Sequence, residues 1–405
     1  MRNKNLDAVK AVAACFVVFI HVGFPGETGQ IIKVIARFAV PFFFTISGYF
    51  CYYAEKSRGV NCCDAKRYDV KHGDAKNTDE KKKKNITDKI ILKICHILRL
   101  FLIAVLFYII WEVLMTGIEE KSIFSRMQEA VESQHIKEFI RYNSTSQIRA
   151  HLWFLPALLY CYVLDYFIEK FHLRKLAYAC IPVLLGILLW RAEICRMYGG
   201  FYHTMEYRNY LYTGMPFYLL GQMIHECQGK WRQEGKILPA GIVVGAVISI
   251  GEYHWQDARE IYVGTCVMLI CLFVFIILSG GQRKSGTETE DNADRINRSE
   301  EADMGVATIS RIYISGIWKK AEQILMKTGE KYAFVLYLCH PAVADCVKLL
   351  AAFLKVSDNM LYRWIRPLLV LGITVTFIFL VDFLRCRFCS SGEKCGIVIS
   401  KPYRK

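Results

Sequence analysis

Apolar residues in this chain gather into runs of about twenty, separated by short polar breaks. Ten runs are long enough to count as bilayer spans: about 6–24, 31–53, 90–116, 152–169, 175–191, 208–226, 237–254, 260–279, 330–353 and 364–385. This pattern predicts an all-α integral membrane protein, a bundle of about ten transmembrane helices. Lys and Arg crowd the connections on the side of the N-terminus, roughly three to one, which predicts that both termini are cytoplasmic. The segment 1–385 reads as one polytopic membrane domain and 386–405 as a cytoplasmic tail. Cytoplasmic loops are expected at 54–89 and 280–329, and an outer loop with a helical pattern at 117–150.

Composition sharpens this reading. The chain is 54% hydrophobic, too apolar for a soluble protein of 405 residues, yet carries a formal charge of +15. The topology accounts for that charge, so nucleic acid is not an expected partner, whereas membrane lipid is. The run Lys81-Lys82-Lys83-Lys84 in the first loop reads either as a solvated positive-inside segment or as a contact for anionic headgroups. Most of the sixteen cysteines are scattered through apolar spans, as buried or reduced thiols would be. Cys386, Cys389 and Cys395 include one CxxC step but supply three ligands where a structural zinc site needs four, so no metal is expected. Sequons occur at Asn85, Asn143 and Asn297, of which Asn143 alone would face outward.

The chemistry concentrates in the first span, LDAVKAVAACFVVFIHVGF, which holds Asp7, Lys10 and His21. A charged group inside a span costs at least a few kcal/mol and by default marks a working site. Lys10 and His21 are eleven residues apart, three helical turns plus about 20°, so they share a face about 16 Å apart along the axis. A buried neutral imidazole suits a general base for a hydroxyl acceptor, and the same residue also suits helix packing. Lys10 either holds a ligand or snorkels into headgroups, and Asp7, one turn before it, is placed to steady its ammonium. In KIILKICHILRLF, Lys93, His96 and Arg99 run inward at three-residue steps. With Lys10 they would make a cationic cleft suited to phosphate, or Arg99 would pair with Asp7 or Glu112. Arg37, Arg191, Glu193 and Arg208 are expected toward the outer face. Ser47 and Gly48 permit close helix approach, and His340 before Pro341 reads as a packing histidine at a kink or as a site residue.

LDAVKAVAACFVVFIH, RFAVPFFFTISGYF, HLWFLPALL, PFYLLGQMI and LYLCHPAV, in this order, resemble the acyltransferase-3 family of integral membrane acyltransferases. RFAVPFFFTISGYF is also similar to the membrane domain of vancomycin-resistance serine racemases. The family resemblance implies transfer of an acyl group, usually acetyl, from cytosolic acyl-CoA to a hydroxyl of an extracytoplasmic glycan or envelope acceptor at the plasma membrane. It implies no bound cofactor, acyl-CoA being a substrate. The family's arginine, ten residues, histidine pattern falls on Lys10 and His21, and its Arg-x-x-Arg pair on His96 and Arg99. His21 is thereby expected to be catalytic. Lys10, Lys93, His96 and Arg99 are expected to bind the donor, and Asp7, Arg37, Ser47, Trp153 and His340 to support the site. Lysine keeps the charge of arginine but loses its planar fork. The alternative reading is a small-solute, serine-like transporter, for which an internal repeat would speak; no clear repeat relates the two halves.

Overall fold

A computed structural model describes residues 3–52, 74–118, 132–199, 204–228, 237–255, 260–282 and 323–388. Helices make up nearly all of it, with no strand among the described residues. They are α1 (Lys4–His21), α2 (Gly26–Ala36), α3 (Ala39–Tyr49), α4 (Asp74–Ile118), α5 (Ser133–Tyr142), α6 (Phe154–Lys170), α7 (Arg174–Met197), α8 (Met215–Cys227), α9 (Leu238–Trp255), α10 (Val263–Gln282), α11 (Ala333–Phe353) and α12 (Met360–Phe388).

Helix runs through most of each of the ten expected stretches, in two pieces for 31–53. Five segments among the described residues are long and apolar enough to cross a membrane: Gly26–Tyr49, Thr87–Gly117, Ala150–Lys170, Ala333–Phe353 and Met360–Leu384. The outward-facing surfaces of α4 and α12 agree, with Leu102, Leu106 and Ile110, and Leu368, Phe377 and Leu380, all exposed. Apolar surface of this extent is what lipid covers.

Several boundaries differ from expectation. The second span breaks at Arg37-Phe38, where α2 ends and α3 begins. Residues 74–89, expected in a loop, are already helical and form the head of α4. In the expected outer loop, α5 is helical, and residues 119–131 lie outside the described residues. The sequons at Asn85 and Asn297 and the cysteines of the tail sequence RCRFCSSGEKC likewise have no described side chains.

The chain divides into two compact units, each described by itself. The first comprises residues 1–39, 231–257 and 262–405. Its centre is α1, which packs on α2, α10, α11 and α12. The sequence AVAA explains why: Ala11, Ala13 and Ala14 are fully buried and let neighbouring backbones approach. Asn3 caps α1, its Oδ1 accepting from the amides of Asn5 and Leu6 at 3.1 and 3.3 Å. Its Nδ2 donates to the Ile276 carbonyl of α10 at 3.1 Å, which ties the cap to a neighbour.

The α9–α10 hairpin is the most closely packed pair in this unit. Gly241, Gly245 and Ser249 fall at four-residue steps and form a small-residue stripe on α9. A methyl group on Gly245 would meet the Met268 amide and the Gly264 carbonyl, and one on Gly264 would meet the Gly245 carbonyl. Ser249 and Thr265 lie hydroxyl to hydroxyl at 3.1 Å across the contact. Backbone touches backbone here, as small residues in membrane helices allow.

The second unit comprises residues 40–230 and 258–261. There α4 packs along α6, and α8 lies against α7. Gly48 of α3 and Gly221 of α8 face each other's helices. A Cβ on Gly48 would collide with the Tyr218 carbonyl, and one on Gly221 with the Thr45 carbonyl. Asp165, wholly buried in α6, accepts from Tyr218 Oη at 2.7 Å and from Gln222 Nε2 at 2.8 Å, both on α8. A carboxylate out of water needs such donors, and here they lock two helices in register.

Candidate functional site

In the first unit, α1 carries three of the expected site residues. Lys10 Nζ donates to Asp7 Oδ1 at 3.2 Å, one turn apart, as their spacing predicts. Asp7 is buried, and the Lys10 side chain keeps 22% of its exposure. The ammonium is therefore held at its root by a carboxylate while its surface stays partly open. Gly329 packs on the Asp7 carbonyl so closely that a side chain there would collide with it. Three turns further along the same helix, His21 is its last residue and is exposed.

His340 of α11 lies beside His21, the ring centroids 5.4 Å apart and the planes inclined by 38°. The histidine before the proline is completely buried, and its Nδ1 lies 3.1 Å from the Leu336 carbonyl one turn back. A carbonyl accepts but cannot donate, so Nδ1 carries the proton and Nε2 the lone pair. The arrangement thus combines an exposed imidazole with a second, tautomer-fixed imidazole against it. α1 and α11 bring the two rings together from distant parts of the sequence.

In the second unit, Lys93 Nζ donates to the Phe50 carbonyl at 2.9 Å and lies 2.8 Å from Cys51 Sγ, closing the C-terminus of α3. His96 and Arg99 are exposed, among exposed Leu92, Leu98, Leu102 and Ile103. The three do not point one way: six residues amount to 240° beyond a full turn, so Arg99 turns away from Lys93. Glu112, one of the partners weighed for Arg99, instead pairs with Arg149 at 2.6 Å, and Asp7 pairs with Lys10. Ser47 Oγ donates to the Phe43 carbonyl within α3 at 2.8 Å. Arg37 stands at the break between α2 and α3, its amide donating to the Val34 carbonyl.

Trp153 ends a one-turn 3-10 segment (Ala150–Trp153) leading into α6 and packs against Phe44 at 6.1 Å. The Arg208 guanidinium lies 5.7 Å over the Trp153 ring. Tyr142, Ser144, Thr145, Ser146, Ala150, Trp153 and Arg208 line a shallow, open cleft. The sequence marked Trp153 and Arg208 separately but gave no sign that they stack. Asn143, marked only as a sequon, is buried with φ +49°, and both ends of its amide are bonded. Asp165 went unmarked, for a single acid in an apolar run gives no hint of its partners 53 and 57 residues later.

Among the described residues the regular structure is all helical and five segments are long and apolar enough to span a bilayer, which marks a membrane protein. A profile of the acyltransferase domain family matches residues 3–385, nearly the whole chain. The chain belongs to that acyltransferase-3 family. It is also similar to an amino-acid racemase of Enterococcus faecalis, 24% identical over 305 residues, 70% of this chain. The chain spans 37% of that relative's length. No solved structure matches it.

Proposed function

We propose that this acyltransferase moves an acetyl group from cytosolic acetyl-CoA to a hydroxyl of an extracytoplasmic glycan or other envelope acceptor, at the plasma membrane. Ten spans with both termini cytoplasmic are the topology that goes with this reading. The observation that carries it is the His21–His340 pair at the end of the helix that bears the Asp7–Lys10 ion pair. Lys10 takes phosphate oxygens of the donor, its ammonium kept in place by Asp7. Lys93, His96 and Arg99, on different faces of α4, are each assigned an affinity for phosphate rather than one shared cleft. Asp7, Arg37, Ser47 and Trp153 support these groups through packing and hydrogen bonds.

In the chemical step His21 takes the proton of the acceptor hydroxyl as that oxygen attacks the thioester carbonyl. The C–S bond breaks, and the departing thiolate receives the proton back from the imidazolium, giving the ester and CoA thiol. An acyl-imidazole on His21, formed and then cleaved by the acceptor, gives the same products. His340 is a positioning residue: its ring contact and fixed tautomer define the face that His21 presents.

The test is a membrane-vesicle assay with acetyl-labelled CoA, comparing the native chain with His21→Ala. Label reaching the acceptor only with the native chain supports the reading; equal labelling by both removes His21 from the chemistry. Solute flux in proteoliposomes lacking acyl-CoA, unaffected by His21→Ala, would favour transport instead.

A further inference from the structure

The cleft of the second unit joins a cation, aromatic walls and a row of hydroxyls, none of which the chemistry at His21 uses. Among the described residues, the one ion pair of Arg208 is with Glu260, at 3.9 Å, the outer limit for such a contact. A guanidinium has five N–H donors in a rigid fork, and a contact that long leaves most of them to a ligand. A second cation, Arg141, lies 5.2 Å over the ring of Tyr142, one of the lining residues. Arg149, by contrast, is committed to Glu112 at 2.6 Å.

The walls are built to stay where they are. Asn143 Nδ2 donates to the Trp153 carbonyl at 3.2 Å, and its Oδ1 accepts from the Tyr210 amide at 2.9 Å. Its left-handed backbone turns the chain from α5 into the hydroxyl-bearing residues. Thr145 Oγ1 donates to the Arg149 carbonyl at 2.9 Å, and Ser144 and Ser146 lie hydroxyl to hydroxyl at 3.1 Å. Asn209, next to Arg208 in the chain, caps the following turn by accepting from the amides of Leu211 and Tyr212. A cation fixed over an indole and flanked by buried, bonded loop residues loses little freedom when it takes a ligand. By the order of the spans, the loop that carries the cleft is the outward one.

We propose that this cleft binds an anionic sugar unit of the acceptor. Its carboxylate or phosphate would sit on Arg208, and its hydroxyls would meet Ser144, Thr145 and Ser146. This deepens the reading of the chain as a glycan acyltransferase and rests on it for the word acceptor. The binding itself is tested without any acyl transfer.

The full chain, purified in detergent, is unfolded thermally in the presence of glucuronate, glucose 6-phosphate or glucose at equal concentration and ionic strength. The anionic sugars are expected to raise the unfolding midpoint by about 2 °C and glucose by much less. A shift from glucuronate alone identifies a carboxylate, and a shift from the phosphate alone a phosphate ester. Arg208→Gln is expected to abolish the difference between charged and neutral sugars, and Arg208→Lys to keep part of it. No shift from either anion overturns the proposal, as do equal shifts from all three sugars or a difference that survives in Arg208→Gln. If Arg208→Gln does not fold, the sugars on the native chain still decide. Loss of vesicle transfer in His21→Ala stands or falls separately.

Discussion

The imidazole of His21 rests 5.4 Å from that of His340, whose Nδ1 is spent on the Leu336 carbonyl. The exposed ring is thereby placed against a buried one with a defined tautomer. His21→Ala is expected to lower transfer by about 100-fold or more, the scale of a lost general base. His340→Ala should lower kcat while leaving the KM for acetyl-CoA within about twofold, because it acts through His21. Steady-state kinetics in vesicles measure both. A His340→Ala variant changed only in donor KM would contradict the positioning role.

At the other end of the same helix, Lys10→Ala is expected to raise the donor KM by about tenfold, the loss of one charge-assisted contact. Lys10→Arg should retain or improve binding, since a fork grips phosphate in two places. Asp7→Asn should weaken donor binding by a few fold, its amide no longer anchoring the ammonium. Unchanged donor KM in Lys10→Ala would remove Lys10 from the donor site.

Asp165 gives a prediction about stability. Replacing Tyr218 by Phe leaves the carboxylate with Gln222 alone, and Gln222→Leu leaves it with Tyr218 alone. Each is expected to cost about 1–3 kcal/mol. The double variant should cost more than either, and a cycle of thermal unfolding midpoints reads the coupling. Additive losses in that cycle would mean that the two bonds act independently.

A fourth prediction concerns the glycine crossing in the second unit. Gly48→Ala directs its new methyl at the Tyr218 carbonyl, part of a helix that cannot yield as a side chain would. A destabilisation of about 1–3 kcal/mol is expected. Gly372→Ala, with open space around its added carbon, is the neutral control in the same unfolding assay.

What was legible in the sequence was local. The Asp7–Lys10 pair follows from a three-residue step, and the placing of His21 at the far end of α1 from a count of turns. Hydropathy found where helices run because lipid demands long apolar segments. It did not find the break at Arg37-Phe38, where the run stays apolar while the helix stops. The stripe expected of Lys93, His96 and Arg99 unwinds because three-residue steps fall 60° short of a turn each time. The neighbourhood of His340 and His21, the meeting of Trp153 with Arg208 and the donors to Asp165 all join distant segments. Periodicity carries no information about those.

The α9–α10 hairpin has a consequence for how polar groups are carried in a bilayer. In α10 the stretch Val263–Ser279 is apolar almost throughout. Glu252 near the end of α9 accepts from the amides of Val263 and Gly264 at 3.2 and 2.9 Å, closing the free end of its partner. With the glycine stripe holding the two backbones together, α9 and α10 face lipid as one two-helix unit. Ser249, Thr265 and Glu252 spend their polar groups inside that unit, so lipid closing around it strands none of the three without a partner.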